Sequence, residues 1–252
     1  MNFQALLDIA KNEDIPVFGM GPSSEMSIEP VGHRPDDFLP DTKGIICFGI
    51  PVPEGVYQSN KISLEIGWRS QNLLYRKLDT LSLHFSNLLE KNGYKSIPIF
   101  GCMPLDLNKD GIVVGYVNQL KMAELLNIGT IGKNGLLIHS KFGSRLMLEG
   151  LITTALLPYI HYPEINEPGC PPDCTIYSDA CPVNAIIPEE KNVKIMRCLG
   201  YTSKTPLMSR IKFWWLRKRN KEVAAQYMST NSVDELTFHI CSECVAQCPY
   251  SN

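Results

Sequence analysis

CPPDCTIYSDACP, residues 170–182, and CSECVAQCP, residues 241–249, decide how this chain is organised. Both runs crowd cysteines and both close on Cys-Pro, with the spacings Cys170-x3-Cys174-x6-Cys181-Pro182 and Cys241-x2-Cys244-x3-Cys248-Pro249. Seven of the nine cysteines fall between Cys170 and Cys248, leaving Cys47 and Cys102 outside. Thiolates are soft ligands, and close spacing turns successive sulfurs into one pocket while backbone amides face the metal. The N-terminus, MNFQALLDIAKNEDIP, has neither a basic n-region nor an apolar h-region, and the cysteine total is odd, so a secreted disulfide framework is not expected. Metal ligation in a cytoplasmic protein is the expectation. Iron–sulfur leads; zinc bound by four cysteines is the alternative.

In bacterial two-cluster ferredoxins the last cysteine of a run crosses over to ligate the other cluster. Applied here, that rule moves Cys248 to the first run and Cys181 to the second. Cys181, Cys241 and Cys244 then need one more ligand, which Cys198 in RCLGYTS supplies, completing four thiolates for a [4Fe–4S] cluster. The other set, Cys170, Cys174 and Cys248, is one thiolate short. Aligned on Cys181, the missing cysteine falls at Tyr177. A three-cysteine cluster, a [3Fe–4S] cluster, a non-cysteine ligand and an empty degenerate site all remain open for it.

Upstream of these runs the chain has a different texture. GIICFGIPV from Gly44 and SIPIFG from Ser96 are apolar runs bounded by Gly and Pro, which predicts buried strands. Leu74, Leu78, Leu81, Phe85 and Leu88 recur at spacings of four and three, predicting one face of a core helix that Asn92-Gly93 ends. A second helix is expected from near Asn118 to Gly129, followed by strand character in GLLIH and RLMLEGLITT, with the glycines of IGTIGKNG at the turn. Past Pro158 prolines join the cysteines and regular periodicity stops. The expected fold is α+β: a mixed α/β domain over residues 1–160 and a small iron–sulfur domain over 161–252. A formal charge of -2 gives no broad field for nucleic acid or anionic membrane. No apolar run approaches the roughly 20 residues that cross a bilayer, so no membrane association is expected.

AELLNIGTIGKNGLLIHSKFGSRLMLEGLITTALL (Ala123 to Leu157), CPVNAI, RCLGYTS and CSECVAQCPYSN together resemble the family that contains epoxyqueuosine reductase and, more distantly, the corrinoid reductive dehalogenases. The resemblance implies a nitroreductase-like α/β domain holding a base-off cobalamin and a ferredoxin-like double-cluster domain that feeds it electrons. The residues matching the corrinoid-pocket segment are Gly129, Gly132, Lys133, Asn134 and Gly135, with Phe142, Gly143, Ser144 and Arg145 beyond. Two departures stand out. Where epoxyqueuosine reductase has an acidic proposed proton donor, about eighteen positions before IGKN, this chain has Val113. It also ends at Asn252 without the helical-repeat extension that helps grip transfer RNA, so nucleic acid is not the expected substrate. Nor is a twin-arginine export signal present, which disfavours respiratory dehalogenation.

Gly129-x2-Gly132-Lys133 does not meet the spacing of a phosphate-binding loop. The histidines are scattered and read as surface or capping residues, His239 excepted, because it stands two residues before Cys241. RIKFWWLRKRNK from Arg210 carries six basic residues with Trp214 and Trp215. It predicts a helix whose tryptophans, with Leu207 and Ile211, pack against the cluster domain. The competing reading is a docking face for an acidic electron donor or for nucleic acid. Asp110, Tyr116 and Tyr201 are the candidate proton donors, since clusters and corrinoids supply electrons but not protons. The expected whole is an oxidoreductase relaying electrons from a ferredoxin- or flavodoxin-type donor through two clusters to a corrinoid, with the substrate, a small molecule or another protein, left open. The alternative is a carrier of electrons or corrinoid without substrate chemistry.

Overall fold

The computed structural model describes all residues except 1–2, 59–62, 102–104, 109, 111–112, 163–169, 172, 188–191, 203–206, 225–240 and 252. Cys102 and His239 lie outside the described residues. In chain order the first region runs α1 (Gln4–Asn12), β1 (Val17–Pro22), α2 (Pro35–Phe38), β2 (Gly44–Pro51), α3 (Glu54–Gln58), α4 (Ser63–Lys91), β3 (Ser96–Ile99), β4 (Leu105–Leu107), β5 (Val113–Gly115), α5 (Gln119–Leu125), β6 (Thr130–Ile131), β7 (Leu137–Ile138), β8 (Leu146–Thr153) and β9 (Ile160–Tyr162). Five of these strands form one sheet in the order β3-β8-β2-β1-β9. Its ladders are all antiparallel, with Cys47 of β2 opposite Gly19 of β1 and Gly150 of β8.

Alternation along β2 explains why this sheet is covered on both faces. Ile46 and Phe48 join Leu6, Phe18, Leu78, Leu81, Phe85 and Leu89 in a core beneath α1 and α4. Ile45 and Cys47 point the other way, into a core with Met122, Ala123 and Leu126 of α5 and its C-terminal cap. The four-and-three pattern therefore located the buried stripe of α4, although Leu89, fully buried, lies outside the residues it named. Gly93, at φ +83°, ends that helix in the left-handed conformation expected of a glycine there.

Three boundaries differ from expectation. The helix begun by Asn118, whose Oδ1 accepts from the Lys121 amide, stops at Leu125 rather than Gly129, because Asn127 turns at φ +54°. The strand expected across GLLIH shrinks to Leu137–Ile138, enough only to pair with β6 across the IGKN turn. Past Pro158 the sheet gains β9 on the β1 edge, so regular structure continues to Tyr162.

The second region contains α6 (Ile176–Ala180), β10 (Ile186–Ile187), β11 (Asn192–Val193), α7 (Ile195–Thr202), α8 (Leu207–Arg219) and α9 (Glu243–Ala246). α6 and α9, one from each cysteine run, pack against each other. The expected inward face of α8 is reversed. Phe213 and Leu216 pack with Met196 and Leu199 of α7, whereas Trp214 and Trp215 are 56% and 48% exposed. Each indole is covered by a cation instead of the core: Lys218 Nζ lies 3.8 Å from the Trp214 ring centre and the Arg219 guanidinium 4.1 Å from that of Trp215. Such contacts let an aromatic ring stay at the surface.

Candidate metal centre

The cysteines of the two runs do not gather in one place. Cys170, Cys174 and Cys248 line a single pocket together with Ile176, Tyr177 and Asn134. Cys248 and Tyr177 are 8% and 6% exposed. Cys181, Cys198, Cys241 and Cys244 form the second set, close enough for each other's charge to be felt. Burial pushes the Cys244 thiol up to about 12, and thiolates at Cys198, Cys241 and Cys181 push in the same direction. Cys198 is raised by burial and then by the Cys241 and Cys181 thiolates, and Cys241 by burial and then by the Glu243 carboxylate and the Cys181 thiolate. Cys198, Cys241 and Cys244 so placed resist ionising together unless a cationic group offsets their charge.

Backbone amides face these sulfurs. The Ala185 amide donates to Cys181 Sγ at 3.2 Å, and the Glu243 backbone beside Cys241 favours its thiolate, against the effect of burial. Amide donors of this kind stabilise thiolates bound to metal. The donor set, four thiols with amide support, fits an iron–sulfur cluster; the three-thiol pocket fits one only in part. Among the described residues no three His, Cys, Asp or Glu side chains are drawn together as around a single ion.

The IGKN turn touches both sets. The Gly132 amide donates to Leu136 O at 2.8 Å and the Gly135 amide to Gly132 O at 3.0 Å, closing the β6–β7 turn. A Cβ added at Gly132 would stand 3.1 Å from Cys170 Sγ and 2.8 Å from Asn134 Oδ1, so only glycine lets the turn approach that sulfur. Asn134, 3% exposed, accepts from the Leu136 amide and donates from Nδ2 to Cys244 O at 3.5 Å.

The other residues expected at a corrinoid are mostly enclosed by the chain itself. A Cβ at Gly129 would meet Ile138 O at 2.6 Å, Gly135 and Gly143 turn at φ +70° and +56°, Phe142 packs on the α5-side core, and Ser144 is buried. Lys133 makes contacts within the protein. Arg145 is the informative one. It is 9% exposed, donates from Nη1 to Val52 O at 2.7 Å, and leaves Nε buried without an acceptor among the described residues. An acceptor group on a bound guest would satisfy that donor, which is as far as these residues fit a corrinoid.

None of the three candidate proton donors lines the three-thiol pocket. Asp110 is exposed between β4 and β5, Tyr116 packs its ring against Phe38 at 5.5 Å, and Tyr201 is 42% exposed on α7. Sequence reading passed over Tyr57. Gln71 Nε2 lies 3.5 Å from its hydroxyl, and the phenol senses both Arg145 and Cys244, so α3 joins the sheet domain to the second thiol set. Its partners lie far away in the chain, and no local pattern marks it. His139, expected at the surface or in a cap, is fully buried; its Nδ1 does cap a turn, accepting from the amides of Lys141 and Phe142.

No protein-family model matches the chain. An epoxyqueuosine reductase from Lactococcus garvieae is 31% identical over 184 residues, which cover 68% of this chain and 46% of that protein. The chain is similar to epoxyqueuosine reductase over part of that protein's length. Solved structures share its fold: epoxyqueuosine reductase from Streptococcus thermophilus matches at TM-score 0.58 and 20% identity, over 100% of this chain and 66% of its own. A catabolic reductive dehalogenase also gives TM-score 0.58, at 12% identity, over 100% of this chain and 32% of its own. The resemblance read from the cysteine runs and the IGKN turn is thus borne out. The chain spans about half the length of the curated relative it matches.

Proposed function

We propose that this epoxyqueuosine reductase-like chain is an iron–sulfur oxidoreductase. On this reading a nitroreductase-like domain over residues 1–160 seats a corrinoid, and a ferredoxin-like domain over 161–252 relays single electrons to it. The observation that carries the reading is the separation of seven cysteines into a four-thiol and a three-thiol set, both touched by the IGKN turn. A bound corrinoid supplies low-potential cobalt chemistry; the chain's own part is to hold the clusters, orient them through Gly132 and Asn134, and place Arg145 and Tyr57 where the sheet domain meets Cys244. An acidic ferredoxin- or flavodoxin-type donor suits the exposed basic and aromatic face of α8, beside Cys198 on α7. No described helix is long and apolar enough to cross a membrane, and a cytoplasmic setting with reduced thiols suits this chemistry.

The substrate belongs to the proposal as a class: a small molecule reduced at the corrinoid. An epoxyqueuosine reductase of the same fold has been solved with an epoxyqueuosine-modified tRNA stem loop, whereas the basic face of α8 here carries indoles already covered by its own cations, which leaves less ring surface for base stacking. A carrier without substrate chemistry is the second reading, favoured by the absence of Asp110, Tyr116 and Tyr201 from the lining of the three-thiol pocket. Iron, acid-labile sulfide, zinc and cobalt per chain, measured after anaerobic purification from cobalamin-fed cells, test the proposal. Iron and sulfide above one four-iron cluster with stoichiometric cobalt support the enzyme; the same without cobalt supports the carrier. Zinc without sulfide overturns both.

A further inference from the structure

We propose that the Cys170–Cys174–Cys248 pocket is a three-thiolate centre that holds a [3Fe–4S] cluster, with Tyr177 at the corner where a fourth cysteine would stand. This rests on the iron–sulfur reading above and adds to it the nuclearity of one site. A [4Fe–4S] cluster is ordinarily held by four thiolates, one for each iron, and the residues of this pocket do not complete that set.

The remaining described cysteines are committed elsewhere. Cys181, Cys198, Cys241 and Cys244 sense one another. Cys47 is fully buried in β2, packed in the core beneath α5. The fourth corner is filled by other chemistry. Tyr177, on α6 three residues beyond Cys174, is 6% exposed and lines the same pocket. Asn134 closes the pocket from the sheet domain, and both ends of its amide are already engaged, by the Leu136 amide and by Cys244 O. Phenols are hard donors and poor matches for a cluster iron beside three soft thiolates. The pocket therefore offers three good ligands and a buried ring in place of the fourth, which favours the cluster that lacks one iron.

Iron and sulfide analysis with low-temperature EPR on the anaerobically purified full chain tests this. The expected result is about seven irons per chain and the signal of an oxidised three-iron cluster, with one-electron reduction abolishing the signal. Tyr177→Cys should raise iron to about eight and remove the three-iron signal, whereas Cys198→Ser should lower iron and leave that signal in place. A wild-type chain with about eight irons and no three-iron signal, even after mild oxidation, overturns the proposal while the iron–sulfur reading stands. Appearance of the signal in Cys102→Ser or His239→Ala, but not in the wild type, overturns it too and names the fourth ligand. Absence of acid-labile sulfide would instead sink the underlying reading.

Discussion

The sheet domain and the cysteine region reach order by opposite means. Around β2, side chains alternate into two apolar cores, and Phe85 meets Phe18 and Phe48 with ring centres 5.7 and 5.1 Å apart. In the second region the described apolar cluster is small: Ala224 with Met196, Leu199, Phe213 and Leu216, closed by Leu107 of β4 from the first region. Its helices α6 and α9 have five and four residues, too short to stand alone in water. The first region is folded by burial; on the iron–sulfur reading proposed above, the second depends on what its thiols bind.

The largest test of that difference is to remove the metal. Chelation, or Cys244→Ser, should unfold the segment from Cys170 to Tyr250 while the five-stranded sheet persists. Hydrogen exchange resolves the two: protection should fall in α6, α7 and α9 and hold in β2 and β8. Uniform loss, or none, would show that the regions are not held by different forces.

The reverse test is Phe85→Ala. Truncating a fully buried phenylalanine costs about 3–5 kcal/mol, so the midpoint of denaturant unfolding of the sheet domain should fall steeply. Iron content at low denaturant should stay unchanged. A loss of iron in this variant would mean that the cysteine region leans on the apolar core more than its own packing suggests.

Glu149 gives a finer probe, because it places a carboxyl inside the apolar region. It is fully exposed to neither solvent nor partner: 0% accessible, beside Asp79 and Ser82 of α4, with neither oxygen in good hydrogen-bond geometry among the described residues. Burial, with the Asp79 charge adding to it, raises its pKa from 4.5 to about 9. A folded value above the unfolded one means that the group's stabilising contribution is complete below about pH 4.5 and is lost progressively as pH rises towards 9. Glu149→Gln should flatten stability against pH across that window, gaining more at pH 8 than at pH 5. A parallel shift at both pH values would show that Glu149 does not hold its proton.

Legibility followed the same division of forces. Periodicity exposed α4, β2, β3 and β8 because burial on a repeating backbone leaves a repeating pattern, Leu78, Leu81 and Phe85 most plainly. Spacing exposed the cysteine runs because ligand geometry constrains neighbours in the chain, and the crossing rule anticipated that Cys248 would share a pocket with Cys170 and Cys174. What no local pattern carried was the contact between distant segments. Tyr57 against Cys244, Asn134 against Cys244 O and the buried Nε of Arg145 depend on how the two regions meet. The inward face of α8 is not legible for a related reason: its apolar residues encircle the helix, and distant Leu107 and Ala224, with α7, select Phe213 and Leu216 rather than their own spacing.

The smallest expected effect falls at the seam between the regions, on Gly132. An added methyl there meets Cys170 Sγ at 3.1 Å, Asn134 Oδ1 at 2.8 Å and Ile138 Cγ1 at 2.8 Å, so two side chains and a thiol must move by tenths of an ångström. Overpacking of this kind costs about 1–3 kcal/mol. In Gly132→Ala the strain lands on the three-thiol pocket first, because Cys170 is the cysteine the methyl touches, while Cys181, Cys198 and Cys241 are reached only through Asn134 and Cys244. Absorption and EPR features of the three-thiolate centre should therefore shift or lose intensity while those of the four-thiolate cluster remain. Equal disturbance of both would show that the turn acts on the second set as strongly, through the Asn134 bond to Cys244 O, and that the seam couples the two centres rather than serving one.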